Sequence, residues 1–370
     1  MLTSYDVGSL PLRVEESVIR DGARRSQTFL SLVSGSDEPS EVFEEEVVNA
    51  FADKLRAGID VPNYPQFRDM NEMYFELIRG IEKTEGGYVA LGTPKARPES
   101  TIPEVAVIKR NTSRIKDLTR VDRVRVKACV TGPYTLASFF PGKSPSLFED
   151  LGRSLAEIVS RSFFDSKNGE LTLVCIDEPV LGFLNDPLLD YGSEGRESLR
   201  RAWDGVCLAA TSRGVETSMH LHDTSDSLYW EVEHLNIVES HVDDPLYSQE
   251  TTKRRLEETD KRLKASVAVT LFDKLIEAHL RREGSDSDIQ QRLGEAWTEI
   301  RHGRVDPFTL MEDPALFRKR LTMVVERFGE ERVPYAGPEC GFGSWPTYET
   351  AMGCLRQISE TVNEYDEENR

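Results

Sequence analysis

A chain of 370 residues exceeds the usual size of one domain, although α/β barrels reach this length with insertions. Acidic residues outnumber basic ones 65 to 46, for a formal charge of −19, and no basic stripe suited to a phosphate backbone interrupts the excess, which argues against a nucleic-acid partner. No apolar run approaches the roughly 20 residues that span a bilayer, and the N-terminus Met1-Leu2-Thr3-Ser4-Tyr5 lacks the basic-then-apolar layout of a secretory signal, so no membrane contact and a cytoplasmic location are expected.

In chain order, β-rich runs fall at 2–9, 58–64, 124–131, 171–177, 216–222, 235–242, 263–269 and 333–337. Helical patterns fall between them, at 40–57, 69–81, 146–164, 197–213 and 314–328. Eight strand-helix alternations predict an α/β fold, a TIM (β/α)8 barrel with insertions, in preference to a doubly wound sheet. No Gly/Ser-rich or Pro-rich linker divides the chain, so residues 1–370 are expected to form one barrel. The stretch 82–111 has little periodicity and several Gly and Pro residues, which suggests an ordered excursion or a lid. Residues 277–306 are long and charged, with Arg281-Arg282-Glu283 and a helical 289–300, and read as a helical insertion after the seventh strand. The acidic tail 364–370 is expected to fray.

Five cysteines, at 129, 175, 207, 340 and 354, have no regular spacing, and the odd number argues against complete disulfide pairing. Cys129 and Cys175 lie in apolar runs and read as buried thiols. Cys340 differs, because glycine and proline surround it in Pro338-Glu339-Cys340-Gly341. His220 and His222 are one residue apart on a predicted strand, and Glu239 and His241 repeat that spacing on the next. Residues i and i+2 of a strand share a face, so each pair offers two donors in one direction. Imidazole, carboxylate and thiolate are zinc's preferred donors, and the pattern points to a zinc site built from strand ends. Any one of these residues alone is more often a satisfied core or rim group; the argument rests on the joint pattern. Ser9, Gln66, Thr131, Asp177 with Glu178, both His-bearing pairs and Cys340 all end or follow predicted strands. That is the end of a TIM barrel where active sites form.

Val7-Gly8-Ser9-Leu10-Pro11, Asp177-Glu178-Pro179-Val180-Leu181, the His-x-His unit and Pro338-Glu339-Cys340-Gly341, in this order, resemble the catalytic barrel of cobalamin-independent methionine synthases. The resemblance implies a zinc-dependent methyltransferase in which the metal activates the sulfur of homocysteine as a thiolate. Family ligands are a His-x-Cys pair, a later Glu and a C-terminal Cys. Here the first and last correspond to His220 and Cys340, His222 replaces the pair's cysteine, and the third falls within Glu239-Ser240-His241 in either register. The resemblance also implies that Gly8 and Ser9 hold the substrate carboxylate and that Asp177, with Glu178 beside it as a catalytic carboxylate, pairs with the ammonium group. Gln66 stands where the family has a second acid, a neutral substitute. A single barrel is similar to the shorter members thought to take the methyl group from a methyl-corrinoid protein, which makes such a protein the expected partner. An alternative is the related alkyl-thiol transferase that joins coenzyme M to an epoxide; a third is a non-catalytic thiol- or corrinoid-handling barrel. Trp345 and Tyr348 either wall the pocket or pack beneath a loop.

Overall fold

The computed structural model describes residues 1–26, 38–183, 185–282, 284 and 288–369. Glu283 and Arg370, which fall in the predicted insertion and tail, lie outside the described residues. The strands are β1 (Thr3–Ser4), β2 (Ile78–Thr84), β3 (Gly87–Ala96), β4 (Val124–Thr131), β5 (Gly169–Glu178), β6 (Glu216–Leu221), β7 (Ile237–Glu239), β8 (Arg262–Ala268) and β9 (Tyr335–Pro338). Seven of them form one parallel sheet in the order β1-β9-β8-β7-β6-β5-β4. Residues 61–66 close it, pairing with the β1 side through Tyr5–Val61 and Ser9–Gln66 and with β4 through Asn63–Lys127. The curled sheet with outer helices is the expected α/β barrel.

The closing stave is irregular for a chemical reason. Pro62 and Pro65 have no N–H to donate, so the ladder there is carried by Val61 N to Ser4 O, Tyr64 N to Lys127 O and Gln66 N to Gly8 O. The Asn63 side chain fills a gap: its Oδ1 accepts from Cys129 N at 2.8 Å. Asp6 fixes this stave to the barrel. One of its oxygens accepts from Asn63 N at 2.7 Å. The other meets the Lys54 ammonium at 2.6 Å. Lys54, on the helix Glu38–Arg56, also donates to Gly8 O and Asn63 O, and both Lys54 and Asp6 are fully buried.

Inside the barrel, Tyr5, Val61, Leu173, Ile237 and Tyr335 form a small apolar cluster, separate from the large core between sheet and helices. The outer helices bury one stripe each. On Pro145–Ser162, for example, Leu147, Leu151, Leu155, Ile158 and Val159 recur at helical spacing, and Ser144 caps the N-terminus by accepting from Leu147 N.

Three local expectations are corrected. The predicted helix 69–81 shrinks to Glu72–Phe75, and an antiparallel hairpin, β2 with β3, follows it. Gly80, at φ +84°, breaks the register between Arg79 and Ile81, and β3 is exposed along most of its length, so no alternation marked the hairpin. The hairpin and then the helix Pro103–Thr119 take up most of the stretch read as aperiodic; Val105, Ile108, Thr112 and Ile115 lie on the helix's buried face, with a threonine disguising the period. The tail does not fray before Glu368: the helix Tyr348–Glu368 continues through it, and Asp366 accepts from Leu2 N, tying the two chain ends together. The stretch 277–306 contains the end of the helix Phe272–Arg282 and the helix Ile289–Arg301. No helix among the described residues is long and apolar enough to cross a membrane.

Removing one charge of a buried pair strands the other. Asp6→Asn keeps an acceptor for Asn63 N but leaves Lys54 without its countercharge, so urea unfolding at neutral pH should show a loss of roughly 3–5 kcal/mol. Arg153→Met, which breaks an exposed pair with Asp150, should change stability by less than about 1 kcal/mol.

Candidate metal centre

Strand parity and register deliver the interior side chains. Thr131 on β4, Asp177 on β5, His220 on β6 and Glu239 on β7 are successive lateral neighbours, so they occupy one level of the barrel wall. His222 and His241 lie two residues further along their strand directions, and Cys340 lies two beyond the end of β9. One donor atom from each of His220, His222, His241 and Cys340 lies within 4.8 Å of all the others. The imidazole centroids are 5.3 Å apart for His220 and His222 and 4.3 Å for His222 and His241, and His222 Nε2 is 3.7 Å from Cys340 Sγ.

His220 is fully buried, yet neither of its ring nitrogens has a hydrogen-bond partner, and His241 Nε2 has none either. Unpaired buried polar atoms are costly, and a cation held among these donors would satisfy them. Burial pushes all three imidazoles down to about 4, for His220 against the pull of Glu239. They are therefore neutral near pH 7, the form that ligates. Burial, reinforced by Asp177, pushes the Cys340 thiol up to about 12; a bound metal ion would reverse that and hold it as thiolate.

Glu239, one of the expected ligands, lies outside the four-residue group. Its carboxylate faces Lys127 Nζ at 3.4 Å and Lys264 Nζ at 2.8 Å, with all three side chains fully buried. Burial opposes its charge, but the two ammonium groups outweigh that and hold its pKa well below the usual carboxylate range. Glu239 Oε2 is 3.8 Å from His220 Nδ1, which makes the glutamate a neighbour of the first histidine. Sequence reasoning assigned no chemistry to Lys127 or Lys264. The available signal was a lysine inside each of two otherwise core-like strands, Val124–Thr131 and Arg262–Ala268.

The expected substrate residues divide. Asp177 is buried at the same level as His220, and its Oδ1 has no partner. Burial first, then Glu178 and Glu239, push its pKa up to about 8. Gln66 is also buried, and its Nε2 has no acceptor. Glu178, adjacent to Asp177 on the strand, points to the opposite face. It accepts from Tyr134 N, Thr135 N, Thr135 Oγ1 and Trp203 Nε1, at 2.6 to 2.9 Å. Three of those bonds fasten the short helix Pro133–Ala137 to the barrel and the fourth holds Trp203, so the carboxylate expected to be catalytic is engaged in structural bonds. Gly132 leaves the room this requires, since a Cβ there would come within 2.1 Å of the Glu178 carboxylate.

Ser9 braces the segment after Cys340: its Oγ accepts from Gly343 N at 3.1 Å, and its carbonyl from Phe342 N at 2.9 Å. The Gly8 carbonyl is committed to Gln66 N and Lys54 Nζ. Trp345 and Tyr348 pack beneath the loop, the former through Phe342 and Phe272, the latter through a hydroxyl bond to Asp53.

Comparison with known proteins adds the lineage. The "Cobalamin-independent synthase, Catalytic domain" family model matches residues 1–278. A methionine synthase of Thermococcus kodakarensis is 26% identical over 322 residues, covering 82% of this chain and 78% of that protein. One from Saccharolobus solfataricus is 27% identical over 177 residues, 46% of this chain, and the match spans about half that relative's length, 51%. Two solved structures share the fold at 14% identity. A putative vitamin-B12 independent methionine synthase from Listeria monocytogenes has a TM-score of 0.59 with 99% of both chains covered. A B12-independent methionine synthase from Shewanella sp. W3-18-1, in complex with selenomethionine, gives 0.58 with 99% and 98% covered. With the match running from the first strand through β8, the chain belongs to the cobalamin-independent methionine synthase family, in its catalytic domain.

Proposed function

We propose that this chain is a zinc-dependent methyltransferase acting on the sulfur of a small thiol amino acid, with homocysteine giving methionine as the leading case. The observation that carries the reading is the group His220, His222, His241 and Cys340 at the barrel mouth. Tetrahedral zinc with bonds of about 2.1 Å to nitrogen and 2.3 Å to sulfur separates the two donors by about 3.6 Å. The His222–Cys340 separation of 3.7 Å suits it.

When bound, zinc would supply a positive centre that holds a substrate thiol as its thiolate near neutral pH. The surrounding residues do the rest. Asp177 offers an unpaired buried acceptor, fitted to an ammonium group, and Gln66 an unpaired buried donor, fitted to a carboxylate. An α-amino acid presents both. In the transfer, the sulfur's electron pair forms the S–C bond, the bond from the methyl carbon to its carrier breaks, and that pair leaves with the carrier. The thiol proton goes to solvent. For the donor we take a methyl-corrinoid carried by a partner protein, with methyl-tetrahydrofolate as the competing source. The neutral Gln66 favours the coenzyme M type of substrate, which lacks an ammonium group; Asp177 opposes it.

Purified protein should carry about one zinc per chain by elemental analysis, as this ligand set implies. His241→Ala and Cys340→Ser should lose most of it, whereas Glu239→Gln should keep it. A folded Glu239→Gln protein without zinc would return the glutamate to the ligand set.

Adding homocysteine to the zinc-loaded chain should release at least one proton per site near pH 7, one from the thiol and a further fraction from Asp177 as it pairs with the ammonium, read by calorimetry in buffers of different ionisation enthalpy. Asp177→Asn should weaken homocysteine binding about tenfold or more while retaining zinc, since a hydrogen bond to a charged group is worth about 1.5–3 kcal/mol. Proton release with coenzyme M alone would transfer the assignment to the alkyltransferase. Single-turnover reactions with methylcobalamin and with methyl-tetrahydrofolate test the donor; transfer from the folate alone would sink the corrinoid.

A further inference from the structure

The helix Ile289–Arg301 carries Gly294, Trp297 and Arg301 along one face, at spacings of three and four, and that face lines a cavity of about 970 Å³. The opposite wall is the segment 345–347, five residues beyond Cys340. All the lining residues lie C-terminal to the segment matched by the family model, which ends at 278. The volume and the mainly apolar lining suit a small-molecule pocket.

Two features show what such a pocket would accept. The first is Gly294. A glycine inside a helix costs roughly 1 kcal/mol relative to alanine. Close packing usually explains such a residue, but a Cβ at Gly294 would meet nothing within 4 Å. The missing side chain leaves the cavity open.

The second is the disposition of the polar groups. The Trp297 indole N–H is taken by Asp273 at 2.7 Å, and that of Trp345 by Thr270 O at 2.6 Å. Asp306 caps the turn Pro307–Leu310 through Phe308 N, and Thr347 caps the final helix through Thr350 N. Arg301 makes no ion pair among the described residues, and its only bond runs from Nε to Trp297 O. The pocket thus offers the part-buried Trp297 indole with its polar edge already satisfied, backed by the buried Trp345, and one guanidinium with uncommitted donors. An arginine presents a planar fork to an anion.

We propose that this cavity is a binding site for a flat aromatic or heteroaromatic molecule carrying one anionic group, its ring against Trp297 and its charge on Arg301. The site is distinct from the metal centre and connected to it. Trp297 packs on Phe272 at 5.5 Å, Phe272 on Trp345 at 5.2 Å, and Trp345 on Phe342 at 4.9 Å, two residues from Cys340.

Calorimetric titration of the zinc-loaded full chain with 2-naphthalenesulfonate, a flat anion, and 2-naphthylmethanol, its neutral counterpart, tests the assignment. One sulfonate should bind per chain. Gly294→Phe, which fills the cavity, should weaken it at least tenfold, while Gly294→Ala stays within twofold. Arg301→Met should weaken the sulfonate about tenfold and leave the alcohol within twofold. Absence of saturable sulfonate binding, or unchanged binding in folded Gly294→Phe, would overturn the site. Equal effects of Arg301→Met on both probes would overturn the anionic requirement. If Gly294→Phe does not fold, the Arg301→Met comparison decides.

Discussion

Everything at the mouth of this barrel depends on a charge cluster buried beneath it. Glu239 stands between Lys127 and Lys264, all three fully excluded from water. Charges in such a place are tolerated only when paired and hydrogen-bonded. The lysines meet this requirement by reaching across the barrel. Lys127 donates to Asp6 O and lies 4.0 Å over the Tyr5 ring, and Lys264 donates to Ser266 Oγ and Pro338 O. The cluster thereby joins β1, β4, β7, β8 and β9 from the inside. It also commits the Glu239 carboxylate, leaving the adjacent mouth to three imidazoles and a thiol.

The charge balance has a chemical consequence. The buried interior sets three ammonium groups, Lys54, Lys127 and Lys264, against the paired carboxylates of Asp6 and Glu239 and the further buried carboxyl groups of Asp177, Glu178 and Glu339. A divalent cation bound by neutral imidazoles and a single thiolate would leave the His/Cys group with one net positive charge. Such a site favours an anionic ligand, and a substrate sulfur held as thiolate supplies that charge. Asp177, whose burial keeps it from ionising easily, keeps one carboxyl oxygen unpartnered at the level of His220.

The rim around this chemistry is held by residues that resemble reactive ones. Glu178 uses its whole carboxylate to anchor a five-residue helix and Trp203, and Ser9 clamps the turn that follows Cys340. Both roles keep donors in place, and a site whose supports are fixed loses little on binding. Close approach makes the same demand of the glycines: a Cβ at Gly341 would sit 2.0 Å from Ser9 Oγ.

The sequence by itself determined the architecture and named the four residues of the His/Cys group that the fold brings together. Eight runs of strand-forming residues separated by helical periods leave few folds open, and β4 spans the predicted residues. His-x-His on one strand end and Glu-x-His on the next had to face one direction, because the pleat repeats every two residues. Tertiary structure decided which side chains meet. Register between neighbouring strands placed Glu239 beside His220 and within reach of two lysines distant in sequence, and that competition, invisible in a linear pattern, separated it from His241. The hairpin Ile78–Ala96 and the helix Pro103–Thr119 escaped because their signals were local and mixed, an exposed strand in one and a buried threonine in the other. Adjacent residues on a strand face opposite sides, so Asp177 turned inward and Glu178 outward; the sequence carried the alternation, but only the packed helix layer decided which of the two would face the site.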